Sequence, residues 1–314
     1  MATQILIGDA TERLRGLADC SVHCCVTSPP YFGLRDYGVA GQLGGESDLD
    51  EYLAKLVTVF REVKRVLRDD GTLWLNMGDS YAHNGPCGGG SPVDARSPEY
   101  GRKGYGSDAS KGRETDRTMQ RLRRPKFTVP PKSLLGAPWR LAFALQSDGW
   151  VLRQDIIWDK VNPLPEAVRD RCTKSHEYMF LLAKSPKYYF DHEAMREPAA
   201  CAGQRRGGST NRYEGGNQGA DSKIYNTRNR RSIWRVLPDR KQKGQVKHFA
   251  TFPPALIEPC IKASVPPGGT VLDPFGGSGT TAQVAESLGR NAILIELNEA
   301  YRPLIEARLR GTSC

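Results

Sequence analysis

Apolar positions along the first eighty residues fall into two kinds of run. Thr3–Ile7 and Val22–Thr27 are short, continuous and rich in aliphatic, β-branched and sulfur side chains, the pattern of strands buried on both faces of a parallel sheet. A helix through Leu17 is predicted after Gly8-Asp9. From Leu49 the period changes: Leu49, Leu53, Leu56, Val57, Phe60, Val63 and Leu67 keep helical spacing, and Asp69-Asp70-Gly71 predicts the helix end. Thr72–Met77 reads as the next buried strand, so strand, helix and strand predict one parallel unit. Further along, the pattern predicts a helix over 134–146, a strand over Val151–Trp158, and a hairpin-like pair, Tyr178–Ala183 and Tyr188–Asp191. The last sixty residues predict a proline-opened helix after Phe252-Pro253-Pro254, a strand over 270–273, a helix over 278–289, the strand Asn291–Glu296 and a final helix to Leu309. Strands alternating with helices predict an α/β fold with a mostly parallel sheet.

Two stretches break this pattern. Residues 79–131 are glycine-rich and polar, too long for an ordinary connection, and 192–247 show little apolar periodicity but many Gly, Asn and Arg. Charge gives both breaks a meaning. The 314-residue chain carries a net charge of +10. Residues 81–135 contribute +6 and 201–247 contribute +9, so the remainder is acidic at −5. Basic insertions on an acidic scaffold point to a polyanion partner. In 192–247, Arg205, Arg206, Arg228, Arg230 and Arg231 are interleaved with Tyr213, Tyr225 and Trp234; arginines grip phosphate and read guanine edges, while aromatics stack on bases. A solvated linker is the ordinary alternative. The 79–131 stretch reads as a DNA-facing insertion, partly disordered without DNA.

Eight cysteines, at 20, 24, 25, 87, 172, 201, 260 and 314, form no CxxC pair. The group Cys20, His23, Cys24 and Cys25 matches no zinc spacing, so no metal site is expected. Reduced thiols, the absence of an apolar run of membrane-spanning length and a charged amino terminus predict a soluble, cytoplasmic protein.

Candidate chemistry concentrates at two corners. In the first, the strand ending at Thr27 runs into Ser28-Pro29-Pro30-Tyr31. The prolines stiffen the turn, and a stiff turn at the carboxyl end of a parallel strand is where open α/β sheets bind ligands. Alone, such a tetrapeptide also suits a surface loop or a polyproline ligand. In the second, Thr270 to Thr281 (TVLDPFGGSGTT) reads as strand, glycine turn and helix start, where backbone approaches a ligand and the helix amino terminus attracts negative charge. Asp9, just past the first strand, suits either a ligand amine or a helix N-cap.

Together the two corners resemble motif IV and motif I of the amino-methylating DNA methyltransferases, in the permuted order of the β class, with the target-amine motif first and the cofactor motif last. The Thr-Ser-Pro-Pro-Tyr form resembles the cytosine-N4 branch; the adenine-N6 branch more often has Asp at the position of Ser28. The resemblance implies a Rossmann-like, mostly parallel, seven-stranded methyltransferase sheet with helices on both faces, circularly permuted, with basic DNA-recognition insertions. It divides the chain into residues 1–190, the first part of the catalytic domain with a basic insertion at about 79–131; 191–247, the target-recognition region; and 248–314, the cofactor-binding part. It implies S-adenosylmethionine as methyl donor, double-stranded DNA as partner, a homodimer, no membrane, and a bacterial or phage-infected host cell. Ser28 and Pro29 would accept the amine hydrogens, and Pro30 and Tyr31 would complete the target corner, with Tyr31 stacking on a flipped base. Asp9, Phe252, Pro253, Asp273, Phe275, Gly276, Gly277, Gly279, Thr280 and Glu296 would form the cofactor site, with Glu296 on the ribose hydroxyls. Asp159 to Glu166 resembles motif VIII, near the target base.

Two other classes fit parts of the pattern. Gly277 to Ala282 with Glu296 also suits a dinucleotide fingerprint, hence a nicotinamide-dependent oxidoreductase, but the chain after it is too short for a second nucleotide-binding half. A non-enzymatic DNA-binding protein accounts for the charge and leaves Ser28 to Tyr31 unexplained.

Overall fold

The computed structural model describes residues 2–34, 39–82, 126–163, 165–199, 226–238 and 252–311. The strands are β1 (Thr3–Ile7), β2 (Val22–Thr27), β3 (Leu67–Met77), β4 (Val151–Lys160), β5 (His176–Ala183), β6 (Glu197–Pro198), β7 (Thr227–Arg228), β8 (Ile233–Val236), β9 (Thr270–Asp273) and β10 (Asn291–Glu296). The helices are α1 (Ala10–Arg15), α2 (Leu49–Val66), α3 (Ala137–Ser147), α4 (Pro254–Ser264), α5 (Thr280–Ser287) and α6 (Arg302–Leu309). The main sheet runs β1-β10-β9-β2-β3-β5-β4-β8, and β6 pairs only with β7. Within the main sheet all neighbouring pairs are parallel except those made by β5, which runs against both β3 and β4, and β6 and β7 are antiparallel. Among the described residues the main sheet has eight strands where seven were expected, with β8 at its outer edge.

The strands seed a core on each face of the sheet, and from Cys24 onward the side chains of β2 alternate between them. On β2, Val22 and Cys25 join the cluster under α1, α2 and α3, while Cys24 and Val26 join the cluster under α4, α5 and α6. This is why both faces carry helices and why the strands read as continuous apolar runs.

Three elements differ from the sequence expectation. Helix α2 stops at Val66, and Leu67, fully buried, enters β3 directly opposite Val22. The ladder then slips between Val22 and Cys24, beside Gly71, where an added Cβ would meet the Arg68 carbonyl at 2.9 Å and that of His23 at 3.1 Å. No strand forms over Tyr188–Asp191. Both hydrogen-bonding edges of β5 are filled by β3 and β4, so none is left for a hairpin partner; Tyr189 N–H donates instead to the Asp70 carbonyl (2.9 Å) and Asp191 N–H to that of Ala263 (2.7 Å). Helix α5 begins only after Gly279, whose φ of +82° is left-handed.

The strand order reverses between β9 and β2, where one half of the sheet is wound outward to β10 and the other to β3. Ligands bind at such a switch point, outside the carboxyl ends of the strands. The chain there is Thr27-Ser28 on one side and Asp273-Pro274 on the other.

Candidate active site at the switch point

The ladder puts Cys24 opposite Val271 and Cys25 opposite Leu272, so β2 and β9 emerge side by side. Their ends are tied: Thr27 Oγ1 donates to Asp273 Oδ1 at 2.6 Å, across 246 positions of sequence. Asp273 also accepts from Phe275 N–H on Oδ1 (3.1 Å) and from Thr281 Oγ1 on Oδ2 (2.6 Å). Burial pushes its carboxyl pKa up, and the two threonines and the Phe275 amide pull it back. Asp273 is thus the junction of three segments, and its oxygens face inward.

The glycine corner folds against the end of β10. Gly276 N–H donates to the Ile295 carbonyl (2.8 Å) and Gly277 N–H to Glu296 Oε2 (2.8 Å), while Glu296 Oε1 accepts from Asn298 N–H (2.8 Å). Burial raises the Glu296 pKa, opposed by those amides. Gly276 and Gly279 pack against the protein: a Cβ at Gly276 would sit tightly, 3.1 Å from Leu294 Cβ, and one at Gly279 would clash, 2.9 Å from Ile305 Cγ2. Gly277 adopts a φ of +52°. Thr280 Oγ1 accepts from Arg308. Buried at the turn is Ser278 Oγ, without a hydrogen-bond partner among the described residues, which is the kind of orphaned polar atom that a ligand completes. β1 ends in the same row, since Ile7 pairs with Glu296 and Gly8 N–H donates to the Glu296 carbonyl. Asp9 N-caps α1 through Glu12 N–H (3.0 Å), the capping role read from sequence. Phe252 is buried in the core beneath α4, and Pro253 caps that helix. Phe275 is partly buried against the opposite core.

At the proline corner, helix α2 holds the turn in place: Tyr52 hydroxyl donates to the Pro30 carbonyl at 2.7 Å. That takes the Pro30 oxygen and leaves the corner the carbonyl of Pro29. Ser28 Oγ lies 3.4 Å from the Tyr31 hydroxyl, which donates to Glu177 Oε2 at 2.8 Å. Glu177 is ion-paired to Lys160 at the end of β4. Burial, then the Glu177 charge, raise the Tyr31 pKa well above the usual phenol. Close by, Lys174 Nζ donates to the Asp79 carbonyl (2.8 Å), and burial lowers its pKa. Asp79 itself caps α3 by accepting from Gly136 and Ala137 N–H.

Sequence reasoning missed Tyr52, Gly78 and Glu177. Glu177 has one weak signal, its place one residue before the apolar run Tyr178–Ala183; Tyr52 and Gly78 have none, because their partners come from elsewhere in the chain.

Of the five arginines read as a DNA-binding set, Arg205 and Arg206 lie outside the described residues, as do Tyr213 and Tyr225 and most of the 79–131 insertion. Arg228 pairs with Glu197 (2.8 Å) and Arg230 stacks on the Trp234 ring, 4.6 Å from its centroid, while Arg231, 71% exposed, reaches the same Glu197 carboxylate at 3.5 Å. Trp234 is not free to stack on a base. It is 4% exposed, packs against Trp74 in the core and donates to the Arg231 carbonyl. These arginines precede β8, whose Ile233 pairs with Ile157 rather than with the last residue of β4, so the structure does not bring them to the proline corner. Among the described residues no cluster of three or more His, Cys, Asp or Glu suits a metal ion, and no helix is long and apolar enough to cross a membrane.

A family model described as DNA methylase (N6_N4_Mtase) matches residues 22–307. The chain is 45% identical to the type II methyltransferase M.SmaI of Serratia marcescens over 306 residues, covering 98% of this chain and 90% of that relative. It is equally 45% identical to M.Cfr9I of Citrobacter freundii over 304 residues, 97% of this chain and 86% of the relative. Among solved structures, the fold is similar to that of the PvuII DNA methyltransferase (cytosine-N4-specific), with a TM-score of 0.65 at 19% identity over 98% of this chain and 86% of that one. It is also similar to that of a putative DNA modification methylase from Thermus thermophilus complexed with S-adenosyl-L-methionine, with a TM-score of 0.61 at 23% identity over 98% and 93%.

Proposed function

The chain belongs to the N6/N4 DNA methylase family, and on that premise we propose that it methylates the exocyclic N4 amine of cytosine in duplex DNA, with the base rotated out of the helix. It is a DNA methyltransferase that uses S-adenosylmethionine. The observation that carries the reading furthest is the Thr27–Asp273 hydrogen bond, which ties a rigid acceptor corner to a glycine corner in one mouth at the switch point.

The exocyclic amine is a poor nucleophile because its lone pair is delocalised into the ring. Ser28 Oγ and the Pro29 carbonyl accept its two hydrogens, draw the nitrogen toward a tetrahedral shape and free that pair. The prolines, with Tyr52 on the Pro30 carbonyl, hold both acceptors before the substrate arrives, so charge develops without reorganisation. The Tyr31 ring flanks the extruded base, as flipped bases require an apolar or aromatic face. When bound, S-adenosylmethionine would supply a methyl group from a sulfonium, which is left as a neutral thioether, and the methylated nitrogen, then cationic, would release one of its two protons to solvent. The residues fit that cofactor. Gly277, at a φ of +52°, admits close approach, while Gly276 and Gly279 let the turn pack against Leu294 and Ile305. Ser278 Oγ and the start of α5 at Thr280 would meet its polar groups, Glu296 its ribose, Asp9 its adenine amine, and Phe252, Pro253 and Phe275 its flanks. A cytoplasmic location is part of the same reading, supported by the bacterial relatives and a DNA substrate.

Ser28, in place of the Asp usual for adenine-N6 enzymes, favours cytosine. Digesting enzymatically methylated duplex DNA to nucleosides and weighing the products tests this. N4-methylcytosine is expected; N6-methyladenine as the sole product would reassign the base, and no methylated nucleoside would remove the proposal.

A further inference from the structure

Ser28 is useful only as an acceptor, yet a serine hydroxyl is equally able to donate. On cytosine the ring N3, an acceptor, sits beside the N4 amine, so a freely rotating Ser28 hydroxyl would also bond the wrong atom. The structure contains a device that selects the polarity.

Glu177 is the second residue of β5, and Lys160 ends β4; the ladder pairs Glu177 with Trp158, which brings Lys160 to the same end of the strands. Lys160 Nζ lies over the Trp158 ring, 4.8 Å from its centroid, and forms the ion pair with Glu177. An ionised carboxylate has no proton to give. The Tyr31 hydroxyl, 2.8 Å from Glu177 Oε2, therefore donates to it and presents only lone pairs to Ser28. At the 3.4 Å contact the Ser28 hydroxyl must then be the donor, which turns its lone pairs toward the corner. That contact is long, as active-site bonds often are before substrate binds. Gly78, next after β3, makes the arrangement possible: a Cβ there would fall 2.8 Å from Tyr31 Cε2 and 3.2 Å from Glu177 Cδ.

We propose that Glu177, held by Lys160, is a positioning residue that sets the direction of the Ser28–Tyr31–Glu177 hydrogen-bond chain, so that Ser28 meets the target amine as an acceptor. The inference rests on the amino-methylation reading above and holds for either exocyclic amine.

The test is steady-state methylation of plasmid DNA with methyl-labelled S-adenosylmethionine by the full chain and by Glu177→Gln, Tyr31→Phe and the double variant. Gln keeps the shape of Glu177 but its amide also donates, which scrambles the direction. Glu177→Gln should lower kcat by roughly ten- to a hundredfold, less than loss of a direct contact, with KM for DNA within about twofold of the parent. Tyr31→Phe keeps the ring and should lose a similar factor in kcat. Because both act through one chain, the double variant should be no slower than Tyr31→Phe alone. An unchanged kcat in Glu177→Gln, or losses that multiply in the double variant, overturns the proposal. If Glu177→Gln does not fold, judged by its thermal transition, Tyr31→Phe decides alone: an unchanged kcat there also overturns it. Absence of label in DNA with the parent protein would instead defeat the methylation reading, which keeps the two failures distinct.

Discussion

Asp273 is the residue on which the geometry of both corners converges. It is buried, and its pKa is raised from an ordinary 3.8, so the folded protein holds this proton to higher pH than the unfolded chain does. The native state then binds more protons, and the stability contributed by this group falls as pH rises from 3.8 through the folded value. Thr27→Val removes a donor to a buried carboxylate at nearly constant volume. It should cost about 1–3 kcal/mol of unfolding free energy and extend the decline to higher pH, both read from urea titrations at a series of pH values. Equal stability would show that the tie between the corners is energetically idle. The residues of these corners were legible because each sits in a local motif: Ser28 to Tyr31 in one, Asp273 to Thr280 in the other. Tyr52, Gly78 and Glu177 were not, since the contact that gives each its role is made by a strand or helix remote in sequence.

Helix α5 depends on its first corner. Gly279 combines a φ of +82° with a Cβ position 2.9 Å from Ile305 Cγ2, so Gly279→Ala should cost more than about 1 kcal/mol and weaken S-adenosylmethionine binding measured by calorimetry. The core strands make a chemical prediction of their own. Burial pushes the Cys24 thiol up to about 12 and raises Cys25 and Cys260 as well, whereas Cys20 and Cys172 are exposed. Mapping iodoacetamide adducts by mass spectrometry should find Cys20 and Cys172 labelled in the native protein and Cys24, Cys25 and Cys260 labelled only after denaturation. β1, β2, β9 and β10 have the bounds read from sequence because interior parallel strands are unbroken apolar runs with turn residues at their ends. Tyr188–Asp191 misled because its pattern suits a strand, while pairing depends on which sheet edges are open. β8 was hidden in a basic segment, its apolar content reduced to Ile233, Trp234 and Val236.

Across the whole molecule, charge divides into basic segments and an acidic remainder, and much of the basic part lies outside the described residues. Within them the arginines are unequal. Arg228 and Arg231 share the Glu197 carboxylate, Arg228 closely at 2.8 Å and Arg231 loosely at 3.5 Å with 71% of its side chain exposed, and Arg230 is stacked on Trp234. Neutralising Arg231 should therefore reduce the salt dependence of DNA binding by about one unit of log–log slope, and neutralising Arg228 by less. Equal slopes for parent and Arg231→Ala would remove Arg231 from the DNA interface. The α/β class and the permuted order were legible from the two motifs and their separation. The convergence of those motifs on a single switch point was a demand that only β2 pairing with β9 meets.

The most direct test is single-turnover methyl transfer with duplex DNA and labelled S-adenosylmethionine both bound before mixing, comparing the parent with Ser28→Ala. Transfer should slow by roughly two to three orders of magnitude, as when a preorganised contact is removed, while the Kd values for DNA and cofactor stay near those of the parent. A Ser28→Ala protein that transfers methyl groups at the parental rate would contradict the acceptor corner.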